Sequence, residues 1–170
     1  MNADRRPGRA FVFGDNVDTD ALAPGLYMKG SIETLARHCL EALDSGFAGA
    51  VRPGDFVVGG ENFGMGSSRE QAAMVLRQLG VEAVIARSFA GLFFRNCLNL
   101  GLAPLECAGA GSIQSGDVLT VDPVAGRIIN RSRAQTYSCV PIPDHLLEMV
   151  KDGGLLPHLA KKLERQRDVS

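Results

Sequence analysis

Asn62-Phe63-Gly64-Met65-Gly66-Ser67-Ser68-Arg69-Glu70-Gln71-Ala72 is the stretch whose reading decides the fold. It follows the apolar run Phe56-Val57-Val58 and the polar turn Gly59-Gly60-Glu61-Asn62. It leads into Ala72, Ala73, Val75, Leu76 and Leu79, which recur at helical spacing. The pattern predicts a strand, a glycine-rich loop and a helix over 68–79, with Ser68 placed to cap it and Gly80 at its C′ position. A loop ending at a helix N-terminus gathers free backbone N–H groups and the positive end of the dipole, which suits an anion. Ser67, Ser68 and Arg69 reach the same spot, and a guanidinium can hold a carboxylate with two parallel hydrogen bonds. An arginine in the first helical turn opposes the dipole, which hints at another use. A glycine-rich turn before a capped helix is also an ordinary structural feature. The spacing excludes a Walker loop, which needs Gly-Lys-Ser/Thr, and the dinucleotide fingerprint. It also excludes a nucleophile elbow, which needs a second glycine after the serine.

Outward from this loop, residues 10–13, 56–58, 83–86 and 102–105 read as short buried strands, and residues 34–43 and 90–98 as helices. Strands separated by helices argue for parallel pairing with helical crossovers. Residues 15–20 read as an acidic loop, and 22–31 as irregular because of Pro24, Gly25 and Gly30. The last third changes character. Residues 118–121 and 127–130 flank a turn at 122–126 and read as a hairpin, with a further strand near 136–140 and closing helices over 145–150 and 155–163. The expectation is an α/β fold on a mixed, partly parallel sheet. It is one compact domain over residues 1–170, with flexible ends at about 1–9 and 164–170.

The chain has 170 residues, enough for one sizeable core. A formal net charge of −1 gives no global pull toward nucleic acid or membrane. Basic residues gather at the ends, at Arg5, Arg6, Arg9, Lys161, Lys162, Arg165 and Arg167, and read as solvated termini. No apolar run is long enough to span a membrane, and residues 1–7 lack a signal-peptide core, so the expected location is the cytoplasm. Cys39, Cys97, Cys107 and Cys139 are far apart, with no Cys-x-x-Cys pair, and read as buried reduced thiols. His38, His145 and His158 are scattered, so no metal site is expected on this chain.

Residue for residue, the 62–72 stretch resembles the signature loop of the swivel domain of the aconitase superfamily, in particular the small subunits of 3-isopropylmalate dehydratase and its homoaconitase relatives. Phe13-Gly14-Asp15-Asn16-Val17-Asp18-Thr19-Asp20 resembles that family's N-terminal motif. Residues 83–90, Phe94-Arg95-Asn96 and Asn99-Leu100-Gly101-Leu102 resemble the segment after its signature helix. The resemblance runs in order from about residue 10 to about residue 105. It implies a β/β/α swivel domain acting as the small subunit of a hydro-lyase. Such an enzyme isomerises a 2-hydroxy dicarboxylic acid by dehydration and rehydration, with leucine biosynthesis as the setting. That chemistry needs a base for a weakly acidic carbon-bound proton, a Lewis acid for the departing hydroxide, and cations for the carboxylates. The resemblance implies a 4Fe–4S cluster held by cysteines of a large partner subunit, in a heterodimer or heterotetramer, so this chain would not act alone.

Carried over by position, Ser67 would be the catalytic base, acting as an alkoxide. Ser68 and Arg69 would bind a substrate carboxylate. Asp20 would pair with a histidine of the partner and tune the acid that protonates the leaving group. For Asp18 and Asp20, turn or capping roles stand beside this. The substrate-selecting loop departs from the family at Leu26-Tyr27-Met28-Lys29-Gly30. Lys29 stands where an arginine would hold a carboxylate, and it supplies charge without the planar fork. A surface lysine is the competing reading. Met28 would line the pocket beside the substrate's variable group. A homoaconitase or 2,3-dimethylmalate dehydratase small subunit is the alternative within this chemistry. A non-catalytic swivel-domain module and a stand-alone phosphate-binding protein are the alternatives outside it. The intact Ser67, Ser68, Arg69 and Asp20 weigh against the module, and the near-neutral charge weighs against a nucleic-acid partner.

Overall fold

The computed structural model describes residues 5–169. Its centre is a parallel ribbon of four short strands, β1 (Gly8–Val12), β2 (Phe56–Val58), β3 (Ala83–Ala86) and β4 (Ala103–Glu106). They pair in the order β4-β3-β2-β1, with Val12 opposite Val58, Val58 opposite Ile85, and Ile85 opposite Leu105. Parallel strands covered on both faces are apolar at nearly every position, and β2 and β3 are buried throughout. Alternation then divides them between two cores. Val57, Val84 and Ala86 face one side, and Phe56, Val58, Ala83 and Ile85 face the other.

The first core is roofed by the segments that connect the parallel strands. Helices α1 (Thr19–Leu22), α2 (Ile32–Arg37) and α3 (Phe47–Ala50) join β1 to β2, and α4 (Gln71–Gln78) joins β2 to β3. Phe47 sits edge-on to both Phe11 and Phe13. Helix α5 (Gly91–Asn99) lies between the cores, giving Phe93 and Cys97 to one and Leu98 to the other.

Strand β1 is the pivot of the whole sheet. It pairs parallel with β2 and antiparallel with β5 (Val118–Asp122), which continues antiparallel into β6 (Arg127–Asn130) and β7 (Gln135–Ser138). The seven strands make one mixed sheet. Leu119 and Ile128 of the antiparallel half join Phe56 and Ile85 in the second core, closed by Leu147 and Met149 of α6 (Asp144–Lys151). Helix α7 (Leu155–Val169) follows and buries none of its residues, leaving Leu156 and Leu163 exposed.

Four expectations need correction. The helix over 34–43 is α2, capped by Ser31, and ends at Arg37. The chain then turns, Leu40 takes φ +58°, and its N–H donates to the Ala21 carbonyl at 2.8 Å. A long-range hydrogen bond thus overrides a good helical pattern. The 15–20 loop is partly helical, because Asp18 caps α1 by accepting from the Ala21 N–H at 2.7 Å. The amino-terminal arginines are not simply solvated. Arg9 lies in β1 and pairs with the buried Asp55 at 2.9 Å, and Arg5 reaches Asp122 at 3.3 Å. At the other end Lys161 pairs with Asp152 at 2.9 Å, and residues 1–4 and 170 lie outside the described residues. The fourth correction, the start of α4, belongs to the site.

Candidate functional site

The carboxyl ends of β1, β2 and β3 release three loops, 13–18, 59–70 and 87–90, at one edge of the sheet. In open α/β sheets that edge is where ligands sit. The first two loops are tied along their length. Gly60 N–H donates to the Gly14 carbonyl at 3.1 Å, Asn16 N–H to that of Glu61 at 2.8 Å, and Gly64 N–H to that of Val17 at 2.7 Å. Thr19 N–H donates to the Met65 carbonyl at 2.9 Å. The Asp15 carboxylate accepts from the Glu61 N–H at 2.7 Å. The third loop is bound to the second through Phe63 N–H to Ser88 O at 3.0 Å and Arg87 N–H to Gly60 O at 3.0 Å. Ser88 Oγ adds a bond from the Asn62 N–H and one to the Glu61 carboxylate, each 2.7 Å.

The tip of the second loop carries Ser67 and Ser68, both exposed. Helix α4 does not begin at Ser68. It begins at Gln71, with Glu70 at the cap position and no side-chain cap. Gly64 at φ +82° and Gly66 at φ +108° bend the loop so that 67–69 run on toward α1 and α5 before the helix starts. Asn96 of α5 reaches the Ser68 carbonyl at 3.5 Å. Among the described residues, the backbone N–H groups of 66–71 donate no hydrogen bond within the chain. An anion at this mouth meets free donors and the positive end of α4.

Ser67 Oγ lies 3.2 Å from Thr19 Oγ1, and Thr19 is 3% exposed. Arg69 turns away from its own helix. Its Nη1 donates to the Ala23 carbonyl, the C-cap of α1, at 2.6 Å and to Asp20 Oδ1 at 3.1 Å. That answers the puzzle of an arginine ahead of a helix, since the cation faces the negative end of another one. Asp20 Oδ1 also accepts from the Gly25 N–H at 2.9 Å. That bond, followed by the Arg69 guanidinium, holds the Asp20 carboxyl below its ordinary value. Asp20 remains mostly exposed, so the ion pair itself contributes little stability.

Asp20 of α1 is therefore brought to the loop that carries Ser67, Ser68 and Arg69. Lys29 stands apart on the neighbouring 24–30 loop and is exposed. Tyr27 and Met28 of that loop pack against the first core. The Tyr27 ring stacks on His38 with centroids 3.5 Å apart, and His38 Nδ1 meets Glu41 at 2.7 Å. Sequence reasoning missed Thr19 as the partner of Ser67. Its signal was its place in the Asp18-Thr19-Asp20 motif.

The chain's thiols do not fit an iron–sulfur cluster, which needs convergent thiolates. Cys39 and Cys97 lie in one core, and Cys107 and Cys139 in the other. Burial raises all four, Cys139 to about 11, which keeps them protonated. Among the described residues no three His, Cys, Asp or Glu side chains converge on a metal position, and no helix is long and apolar enough to cross a membrane. A cavity of about 440 Å³ lies at the opposite edge of the sheet, lined by Arg5, Arg77, Ala83, Ala103 and Leu147. Ser67 instead stands on an open face.

Residues 48–110 match the family described as Aconitase C-terminal domain. The chain is 48% identical over 160 residues to 3-isopropylmalate dehydratase small subunit 1 of Archaeoglobus fulgidus, covering 94% of this chain and 99% of that protein. It is 46% identical over 161 residues to the 3-isopropylmalate dehydratase small subunit of Methanosarcina mazei, with 94% and 99% covered. The crystal structure of a 3-isopropylmalate dehydratase chain from Methanocaldococcus jannaschii superposes with a TM-score of 0.92 at 39% identity, covering 96% of this chain and 98% of that one.

Proposed function

The chain belongs to the family of 3-isopropylmalate dehydratase small subunits, and from that membership we propose that it is the small subunit of such a dehydratase, a hydro-lyase working with a large subunit. In this reading Ser67 takes the carbon-bound proton of the hydroxy dicarboxylate and returns a proton on rehydration. Ser68 and Arg69 hold a substrate carboxylate at the mouth of α4, and Lys29 contacts the variable end of the substrate. The observation that carries the reading is a pair of contacts at the carboxyl edge of the parallel strands, Ser67 with Thr19 and, two residues on, Arg69 with Asp20. Three loops bonded to one another hold that edge, so the groups stand preorganised.

Asp20 has two faces in this reading. Oδ1 steadies Arg69, and the exposed remainder of the carboxylate is free to meet a histidine that the partner would bring. The large subunit would carry the 4Fe–4S cluster and with it the Lewis acid for the departing hydroxyl. The buried, dispersed thiols of this chain and the open face over Ser67 support that division of labour. One swivel domain, a cytoplasmic location and a place in leucine biosynthesis complete the proposal. The relatives reported above are named for 3-isopropylmalate, which favours it over a homoaconitase or dimethylmalate substrate.

Turnover of 3-isopropylmalate by the complex reconstituted anaerobically with its large subunit tests this. Ser67→Ala should lower kcat by about 10²–10⁴-fold, the usual cost of losing a general base, with complex formation intact. Activity within a few-fold of wild type would reject Ser67 as the base.

A further inference from the structure

We propose that Thr19 is a positioning residue for the Ser67 hydroxyl, donating the hydrogen bond that holds Ser67 in its ionised form. The proposal rests on Ser67 being the base. The two side chains stand 48 residues apart in the chain, on the first turn of α1 and on the second loop, and meet at 3.2 Å. Their surroundings differ. Ser67 is exposed and can bond water, whereas Thr19 is 3% exposed. A buried hydroxyl needs a protein partner, and the Thr19 hydroxyl makes its hydrogen bond with Ser67. Among the described residues Ser67 is the hydrogen-bond partner of the Thr19 hydroxyl, whereas the exposed Ser67 can also bond water, so the pair is organised around Ser67.

The backbone of Thr19 is held on both sides. Its N–H donates to Met65 O at 2.9 Å, its carbonyl accepts from Ala23 N–H at 2.9 Å, and Asp18 caps the turn. Gly66 leaves just enough room, since a methyl group there would stand 3.0 Å from Thr19 Oγ1. Thr19 Oγ1 therefore keeps its place while Ser67 changes charge. A neutral Ser67 can donate to it or accept from it. An ionised Ser67 can only accept, so Thr19 must then be the donor, and a hydrogen bond to a charged oxygen is stronger than one to a neutral oxygen. The bond thus favours the ionised form and lowers the pH at which Ser67 becomes a base.

The test compares Thr19→Val and Thr19→Ser in the reconstituted complex, following kcat and KM for 3-isopropylmalate across pH. Thr19→Val should lower kcat by about 10–100-fold, the scale of one charge-assisted hydrogen bond, with KM little changed. Its rising limb should move to higher pH, because Ser67 then ionises less readily. Thr19→Ser restores the donor and should return both the rate and the limb. Should the valine not be accommodated, Thr19→Ala gives the same readouts. An unmoved limb, a loss equal at every pH, or a serine variant as impaired as the valine would overturn the role of Thr19. These outcomes are separable from failure of the base assignment, which shows as an active Ser67→Ala enzyme.

Discussion

Gly64 takes φ +82° with its α-carbon against the Phe93 ring, which a methyl group at that position would overlap. Both the backbone and the space therefore require glycine here, and the neighbours of Gly64 carry the proposed site. Gly64→Ala is expected to destabilise the chain by about 2–4 kcal/mol, combining a left-handed backbone penalty with overpacking. A urea midpoint lowered at unchanged slope would show it, and a wild-type midpoint would contradict the packing described. The glycines of this loop are plain in the sequence. Which of them is constrained by Phe93 and which by Thr19 is not, because those neighbours come from α5 and α1. The same holds for Arg69. Its odd position ahead of a helix was legible, but its bond to the Ala23 carbonyl was not.

Among the elements, the 24–30 loop shows best how a segment without regular structure is held. Pro24 and Gly25 begin a 3-10 turn, Gly25 N–H is bonded to Asp20, and Tyr27 stacks on His38, which is itself tied to Glu41. Lys29 projects from that anchored base into the open. A role in substrate choice predicts that Lys29→Leu leaves turnover of an isopropyl-bearing malate nearly unchanged. Analogues carrying a distal carboxylate should be weakened by roughly 2–5 kcal/mol in kcat/KM, the cost of removing one member of a desolvated charge pair. If Lys29 stays in solvent throughout, the ratio of the two substrates should stay within about 0.5 kcal/mol of wild type. At this scale the strands were the most legible elements, and helix ends the least. Residues 34–43 have a helical pattern, yet the helix stops at Arg37 because the Leu40 N–H is better satisfied by Ala21.

Across the whole molecule, two buried aspartates tie connecting segments to the sheet, Asp55 at β1 and Asp117 at β6. Asp55 accepts from the N–H groups of Arg9 and Arg52 and from the Arg9 guanidinium, and Asp117 from Gln114, Asn130 and Arg133. Burial pushes both carboxyls up, but these bonds and cations outweigh it and leave both below the ordinary value. Groups with depressed folded values stabilise the protein fully above the unfolded pKa of about 4, and the benefit is lost as pH falls through the folded values. Urea midpoints should therefore drop below about pH 4, and less steeply in Asp55→Asn, which should already cost about 2 kcal/mol at pH 7. An equally steep drop in the variant would remove Asp55 from the account. The division of labour with the partner makes another prediction. The isolated chain, treated anaerobically with iron and sulfide, should gain no stoichiometric cluster absorbance, and a cluster lost on Cys→Ser substitution would contradict it. The sequence by itself determined the parallel half of the sheet, because short, nearly continuous apolar strands alternate with helical segments there. It also determined the composition of the 62–72 loop and, through the order of its motifs, the family. Only the tertiary structure decided that β1 joins a parallel half to an antiparallel one, that Arg69 serves α1, and that Thr19 meets Ser67. Each of these depends on hydrogen bonds between segments far apart in the chain, and local residue preferences carry no record of which distant partner will satisfy them.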